Sequence, residues 1–228
     1  MLSMFAFMEI IAPVQAGAGT HQITALYYKA YIYDDHDGWP RGAGEWYFNL
    51  YAFGAWTGSA FYSRDGPGWA DFSDRTRSGY ISGGYSTSFN CWAGEKDEGW
   101  DYTSTLTVNV YWLSSAINNW YYGNYIVGDV NHYYGYYIQN RYPTVGSISG
   151  LSSGYRLVSY TFTTSGSDPE GDSITYEWRV DGVIQPVTGP ALTYTFPTAA
   201  ALGSHTLSVR TRDYFGAYSS YATKSFYV

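Results

Sequence analysis

Two short stretches of the chain hold eight of its nineteen carboxylates: Asp34-Asp35-His36-Asp37-Gly38-Trp39-Pro40-Arg41-Gly42-Ala43-Gly44-Glu45 and Glu95-Lys96-Asp97-Glu98-Gly99-Trp100-Asp101. Like charges packed at this density repel unless a cation sits among them. A hard cation that collects six to eight oxygen ligands from bendable loops has the matching chemistry, and calcium is that ion. Asp35 and Asp37 supply alternate ligands in a turn, Gly38, Gly42 and Gly44 let the backbone bend, and Glu45 opens a strand directed back at the loop. Asp97 and Asp101 close the sphere from a second loop. The first candidate calcium site is therefore Asp34, Asp35, Asp37, Glu45, Asp97 and Asp101, with Glu95 and Glu98 in reserve. Magnesium, with fewer carboxylates and retained waters, fits the pattern less well. The competing reading is two solvated acidic loops.

A second acidic set, Asp168, Asp172 and Asp213 with Glu170 nearby, is a further candidate calcium site. Here Asp-Pro and Gly-Asp are also ordinary turn formers, whose side chains bond to nearby backbone N–H groups. The four histidines, at 21, 36, 132 and 205, are scattered without zinc-ligand spacing. Cys91 is the single cysteine, so no intrachain disulfide forms, and it reads as a small buried apolar residue.

Aromatic side chains make up 21% of the residues against 14% charged, so rings are both the main core material and the main candidates for exposed contacts. Trp39, Trp100, Trp120, Tyr121, Tyr122, Tyr134 and Tyr136 are the candidate binding residues, suited to sugar rings or to a protein partner. No Gly-x-Ser-x-Gly elbow, His-Glu-x-x-His or phosphate-binding glycine loop is present. A jelly-roll glycosidase would need two facing carboxylates about 5–9.5 Å apart, and Glu45 with Glu98 is the pair that could serve. The expectation is a chain without enzymatic activity.

The elements that must carry these residues are strands. No long stretch shows a helical repeat, whereas alternation and Gly-rich turns recur throughout. Strands are expected at residues 22–33, 45–53, 78–92, 103–112 and 133–139, with the tract 118–142 forming an edge strand with loops or an aromatic surface patch. After Pro143 a Gly/Ser-rich connection leads to shorter strands at 156–164, 173–180, 192–196, 205–213 and 218–228. Asp181-Gly182 marks a two-residue hairpin. Residues 1–16 are apolar and end in Val14-Gln15-Ala16, as a secretory leader or an apolar N-terminal segment would; residues 17–142 and 143–228 form two further regions. No later apolar run reaches a membrane-spanning length. The net charge of −7 argues against nucleic-acid partners.

The C-terminal region resembles a known family. Ser167-Asp168-Pro169-Glu170-Gly171-Asp172-Ser173-Ile174-Thr175-Tyr176-Glu177-Trp178, then Leu192-Thr193-Tyr194-Thr195-Phe196, then Leu207-Ser208-Val209-Arg210-Thr211-Arg212-Asp213 are similar to PKD (polycystic kidney disease) modules and their cadherin-like relatives. The usual Asp after the Trp is Arg179 here. The two acidic turns of residues 20–142 resemble calcium-binding C2-like sandwiches of secreted proteins. These resemblances imply an all-β chain of two tandem β-sandwich domains, the N-terminal one larger and aromatic-rich, the C-terminal one PKD/Ig-like. They also imply an extracellular or cell-surface location and a structural or adhesive role, with protein partners, self-association into a filament, or glycans. The alternative is a carbohydrate-binding accessory module of a secreted hydrolase.

Overall fold

A computed structural model describes residues 19–34, 44–64, 67–82, 86–96, 100–110 and 116–228. Among them there is no α-helix, and no helix is long and apolar enough to cross a membrane. The chain divides into two compact units. One holds His21–Gln139; the other holds Asn140–Val228 together with Gly19 and Thr20.

The first unit contains β1 (Thr20–Ile32), β2 (Gly44–Ala52), β3 (Ala55–Trp56), β4 (Ala60–Arg64), β5 (Gly68–Ser82), β6 (Thr87–Lys96), β7 (Trp100–Val110), β8 (Trp120–Val127) and β9 (Val130–Ile138). One sheet runs β5-β1-β9-β8; the other runs β3-β2-β6-β7, with β4 also paired to β2. Alternation explains the layering, because every second residue of a strand faces the same side. Phe89, Cys91 and Ala93 of β6 and Leu106, Val108 and Val110 of β7 are all buried, and the residues between them are more exposed. Rings join the two sheets: Tyr27 of β1 meets Phe48 of β2 edge-on at 6.1 Å, and Phe48 stacks on Phe72 of β5 at 4.4 Å. Burying each such ring contributes about 1.5–3 kcal/mol.

A polar chain also crosses this core. The Tyr27 hydroxyl lies 2.9 Å from His132 Nδ1, His132 Nε2 lies 2.7 Å from Ser104 Oγ, and Ser104 Oγ donates to the Val127 carbonyl at 2.8 Å. Since the serine proton goes to Val127, His132 Nε2–H donates to Ser104 and Nδ1 accepts from Tyr27. Burial pushes the His132 pKa down to about 3, so the ring stays neutral.

Two sequence expectations are corrected. The run 78–92 is not one strand: β5 ends at Ser82 and β6 starts at Thr87. The Gly83-Gly84 pair inside the run is turn sequence, and its flanking alternation disguised the break. The tract 118–142 holds two strands rather than one, the β8–β9 hairpin, paired from Trp120↔Tyr137 to Val127↔Val130; β8 is the sheet edge and carries exposed Trp120 and Tyr122, in keeping with the aromatic-patch alternative. The hairpin turn is Gly128-Asp129, with Gly128 at φ 58°, a signal hidden by the surrounding tyrosines.

The second unit contains β10 (Thr144–Val145), β11 (Ser159–Thr163), β12 (Gly166–Ser167), β13 (Thr175–Val180), β14 (Val183–Ile184), β15 (Ala191–Thr195), β16 (Ser204–Arg212) and β17 (Ala222–Tyr227). The main sheet runs β14-β13-β16-β17 and faces the β11-β15 pair; β10 and β12 form a third, short pair. Phe162 and Leu192 from the smaller sheet meet Trp178, Val180, Leu207, Val209 and Phe226 from the larger one in a single core. That is a β-sandwich. Trp178 is fully buried and satisfies its indole N–H on the Gly189 carbonyl at 3.0 Å. The Asp181-Gly182 hairpin forms as expected, with both residues at positive φ (50° and 81°) and Val180 paired to Val183.

Candidate functional site

The second acidic set comes together. Asp168, Asp172 and Asp213 each place a carboxylate oxygen within 4.8 Å of the others, and Asp172 and Asp213 are buried. Two turns deliver them. In Asp168-Pro169-Glu170-Gly171, proline presets the second position and Gly171 takes φ 84°; Asp168 Oδ1 accepts from the N–H groups of Glu170 (2.9 Å) and Asp172 (3.0 Å). In Asp213-Tyr214-Phe215-Gly216, Gly216 takes φ 93° and Asp213 Oδ1 accepts from Ala217 N–H at 2.8 Å. Asp168 and Asp213 thus each commit one oxygen to their own turn.

Two further groups complete the surroundings. Gly19 N–H donates to Asp172 Oδ1 at 2.6 Å, and Asn140 Nδ2 donates to Asp213 Oδ2 at 2.9 Å. Gly19 is held against the turn by the Thr20 N–H bond to the Glu170 carbonyl; a Cβ at position 19 would lie 2.1 Å from that same oxygen, so only glycine allows the approach. Neither Gly19 nor Asn140 was legible as part of a site. A backbone N–H has no sequence signature, and Asn140 lies 73 residues from its partner.

Asp168 Oδ2 is shielded from solvent and accepts no hydrogen bond. A buried oxygen left in that state is costly unless something positive meets it. Among the described residues, neither Asp168 nor Asp213 forms an ion pair. Burial pushes the Asp168 pKa up, and the charges of Asp172 and Glu170 add to the rise against the lowering effect of the two N–H bonds. Glu177 shows the contrast: the hydrogen bond from Arg210, supported by Tyr221 and Arg179, holds its pKa down to about 2. A carboxylate with cationic partners is depressed, whereas Asp168 is crowded by like charge. Three convergent carboxylates and a shielded, unbonded oxygen fit the oxygen-donor demands of calcium.

The first acidic set has a different standing. Asp35, Asp37, Glu98, Asp97 and Trp39 lie outside the described residues, and for Trp100 and Asp101 only the backbone, opening β7, is described. Asp34 is exposed beyond β1, and Glu45 is exposed on β2. Glu95 is fully buried on the inward side, in register with Trp46 and Tyr102. Glu45 and Glu95 therefore point to opposite faces of one sheet and do not share a site.

The aromatic candidates divide by strand parity. Trp120 and Tyr122 of β8 are exposed. Tyr136 is buried, Tyr121 lies 5.0 Å from it, and Tyr134 meets Phe89 in the core at 6.0 Å. Tyr121 and Tyr134 are half-buried and lie with Tyr136 on the face opposite Trp120 and Tyr122, because successive side chains of a strand alternate between faces. Trp69 and Tyr133 share the outer face with those two, and so do Tyr28 and Lys29, which sequence reading missed. A bulge between Tyr27 and Lys29 breaks the parity that would have revealed them.

No family model matches the sequence, and no curated protein matches it. Among solved structures, the chain is similar to the PKD domain of an M14-like peptidase from Thermoplasmatales archaeon SCGC AB-540-F20, at 24% identity over 39% of this chain and 97% of that domain (TM-score 0.33). It is similar to the fibronectin(III)-like modules of Clostridium thermocellum CbhA, at 16% identity over 84% of this chain and 81% of theirs (TM-score 0.35). It is also similar to the paired C2 domains of Extended-Synaptotagmin 2, at 10% identity over 98% of this chain and 85% of that one (TM-score 0.37). At these identities the likeness is one of fold.

Proposed function

We propose that the chain is a calcium-stabilised structural or adhesive β-sandwich protein of the cell surface or extracellular space, without catalytic activity. The observation that carries this reading is the Asp168–Asp172–Asp213 triad with its shielded, unbonded Asp168 oxygen. A divalent ion there would tie the turn after β12 to the turn after β16, and through Asp172 would hold Gly19 of the same unit. Stiffening of connections in this way suits a module whose task is to hold partners in position. The Ser104–His132 pair supports a non-catalytic assignment, since both side chains are buried between sheets and spent on Val127 and Tyr27. Partners in this reading are other surface proteins or further copies of the chain.

The test is a thermal melt of the full chain with calcium and with chelator. A calcium-dependent rise in melting temperature that Asp172→Asn abolishes supports the reading. An unchanged melt, or a rise that Asp172→Asn leaves intact, refutes it.

A further inference from the structure

We infer that the outer face of the β5-β1-β9-β8 sheet is a binding platform for an uncharged polysaccharide, independent of the calcium site. Trp120 and Tyr122 lie nearly parallel on β8, 6.1 Å apart with 23° between planes. Tyr28 continues the surface 5.7 Å from Tyr122 and 6.4 Å from Tyr133, and Trp69 lies 5.2 Å from Tyr133. Rings from all four strands of the sheet therefore touch in one continuous band. Trp69, Trp120 and Tyr122 are 42%, 39% and 55% exposed, an uncommon cost in water unless a ligand covers them.

Charge decides what that ligand is. Lys29 is the cation in the band, and its ammonium already lies over the rings of Trp69 (4.5 Å), Tyr133 (4.8 Å) and Tyr28 (5.8 Å). That engagement uses the charge to hold the platform together. Among the described residues Lys29 forms no ion pair, and a chain of net charge −7 repels polyanions. The polar groups on this face include hydroxyls and amides: Asn131 Nδ2 donates to the Tyr133 hydroxyl at 3.2 Å, and Thr24 and Ser78 share a hydrogen bond at 2.8 Å; the exposed carboxylate of Asp71, two residues along β5 from Trp69, lies on the same side. Flat rings that accept the C–H face of a pyranose, with hydroxyls and amides beside them and a carboxylate at the β5 side that repels polyanions, match a neutral sugar chain. An apolar protein surface would call for aliphatic side chains, which are sparse here.

The experiment is affinity electrophoresis of the full chain through gels containing hydroxyethyl cellulose, glucomannan or polygalacturonate, with tryptophan fluorescence titration for affinity. Retardation by a neutral polymer is expected. Trp69→Ala and Trp120→Ala should each weaken it about tenfold or more while leaving the melting temperature within a few degrees. Tyr122→Ala, at an edge strand and more exposed still, provides a second variant if either tryptophan change impairs folding. Retardation by polygalacturonate alone, by no polymer, or undiminished in all three variants would overturn the proposal. So would a dimer in solution whose formation Trp120→Ala abolishes, since a second copy would then be the occupant.

Discussion

Replacing Asp168 by Asn should act with opposite sign in the presence and absence of calcium. Without the ion, three carboxylates share a pocket in which burial and mutual repulsion hold the Asp168 pKa above its ordinary value. An acid whose folded-state pKa is raised destabilises the folded state whenever it is ionised. Near pH 7 the Asn side chain keeps an acceptor for the N–H groups of Glu170 and Asp172 and removes one negative charge, so the melting temperature in chelator should rise. With the ion, the same change deletes a ligand. Calcium sites of extracellular modules have dissociation constants on the order of 10⁻⁴ M, and the proposed site is assigned that affinity. At about 10 mM calcium the native state then gains about 2.7 kcal/mol. For a domain the size of Asn140–Val228 that corresponds to about 10–20 °C in melting temperature. Scanning calorimetry of wild type and Asp168→Asn, each with calcium and with chelator, gives four numbers. The expectation is a large calcium increment in wild type, little or none in the variant, and a higher chelator value in the variant. A variant that is less stable than wild type in chelator would refute the electrostatic reasoning.

Three other perturbations test the two cores. His132 titrates near 6.5 when unfolded and about 3 when folded, so between those values the unfolded state binds more protons. Stability of the first unit should fall with decreasing pH below about 6.5, by up to ~1.4 kcal/mol per pH unit, and His132→Phe should flatten that slope. The same variant leaves the Tyr27 and Ser104 hydroxyls without their buried partner and should lower stability by about 1–3 kcal/mol at neutral pH, read by urea unfolding. In the second unit, the hydrogen bond that His205 Nδ1–H donates to the Asp181 carboxylate raises the His205 pKa, so its contribution is complete below about 6.5 and disappears as pH rises through the folded value. Asp181→Asn should therefore reduce the melting temperature more at pH 5.5 than at pH 8.5; an equal loss at both would contradict the ion pair. Cys91 is fully buried, and burial pushes its thiol pKa well up. It should react with a thiol reagent only after denaturation, and rapid modification of the folded chain would show that β6 opens.

What could be read in advance follows from how local each signal is. The Asp181-Gly182 hairpin, the alternating strands at β13 and β16, and the interior place of Cys91 depend on nearest neighbours, and they were legible. The Asp168–Asp172 half of the triad was also local, being one turn. Its closure by Asp213 required β16 to end beside that turn, a long-range placement that spacing in the sequence does not show. The hairpin in 118–142 was hidden because tyrosine occupies both faces of β8 and β9, so burial parity is invisible in residue type. The inward side taken by Tyr134 and Tyr136 was hidden for the same reason. The β8 part of the outer aromatic platform was legible as a surface patch, but its continuation through Tyr28 and Lys29 was not, because the platform collects residues from four strands and the bulge after Tyr27 shifts β1 out of simple alternation. Gly19 and Asn140 act through a backbone N–H and a distant amide, to which periodicity is blind.

Direct calcium-binding isotherms on the full chain bear most closely on the triad. Wild type is compared by equilibrium dialysis with a chain carrying Asp168→Asn, Asp172→Asn and Asp213→Asn together, circular dichroism confirming that both are folded. One fewer bound calcium per chain in the substituted protein is the predicted result. Identical stoichiometry and affinity in the two proteins would mean that these carboxylates hold no ion.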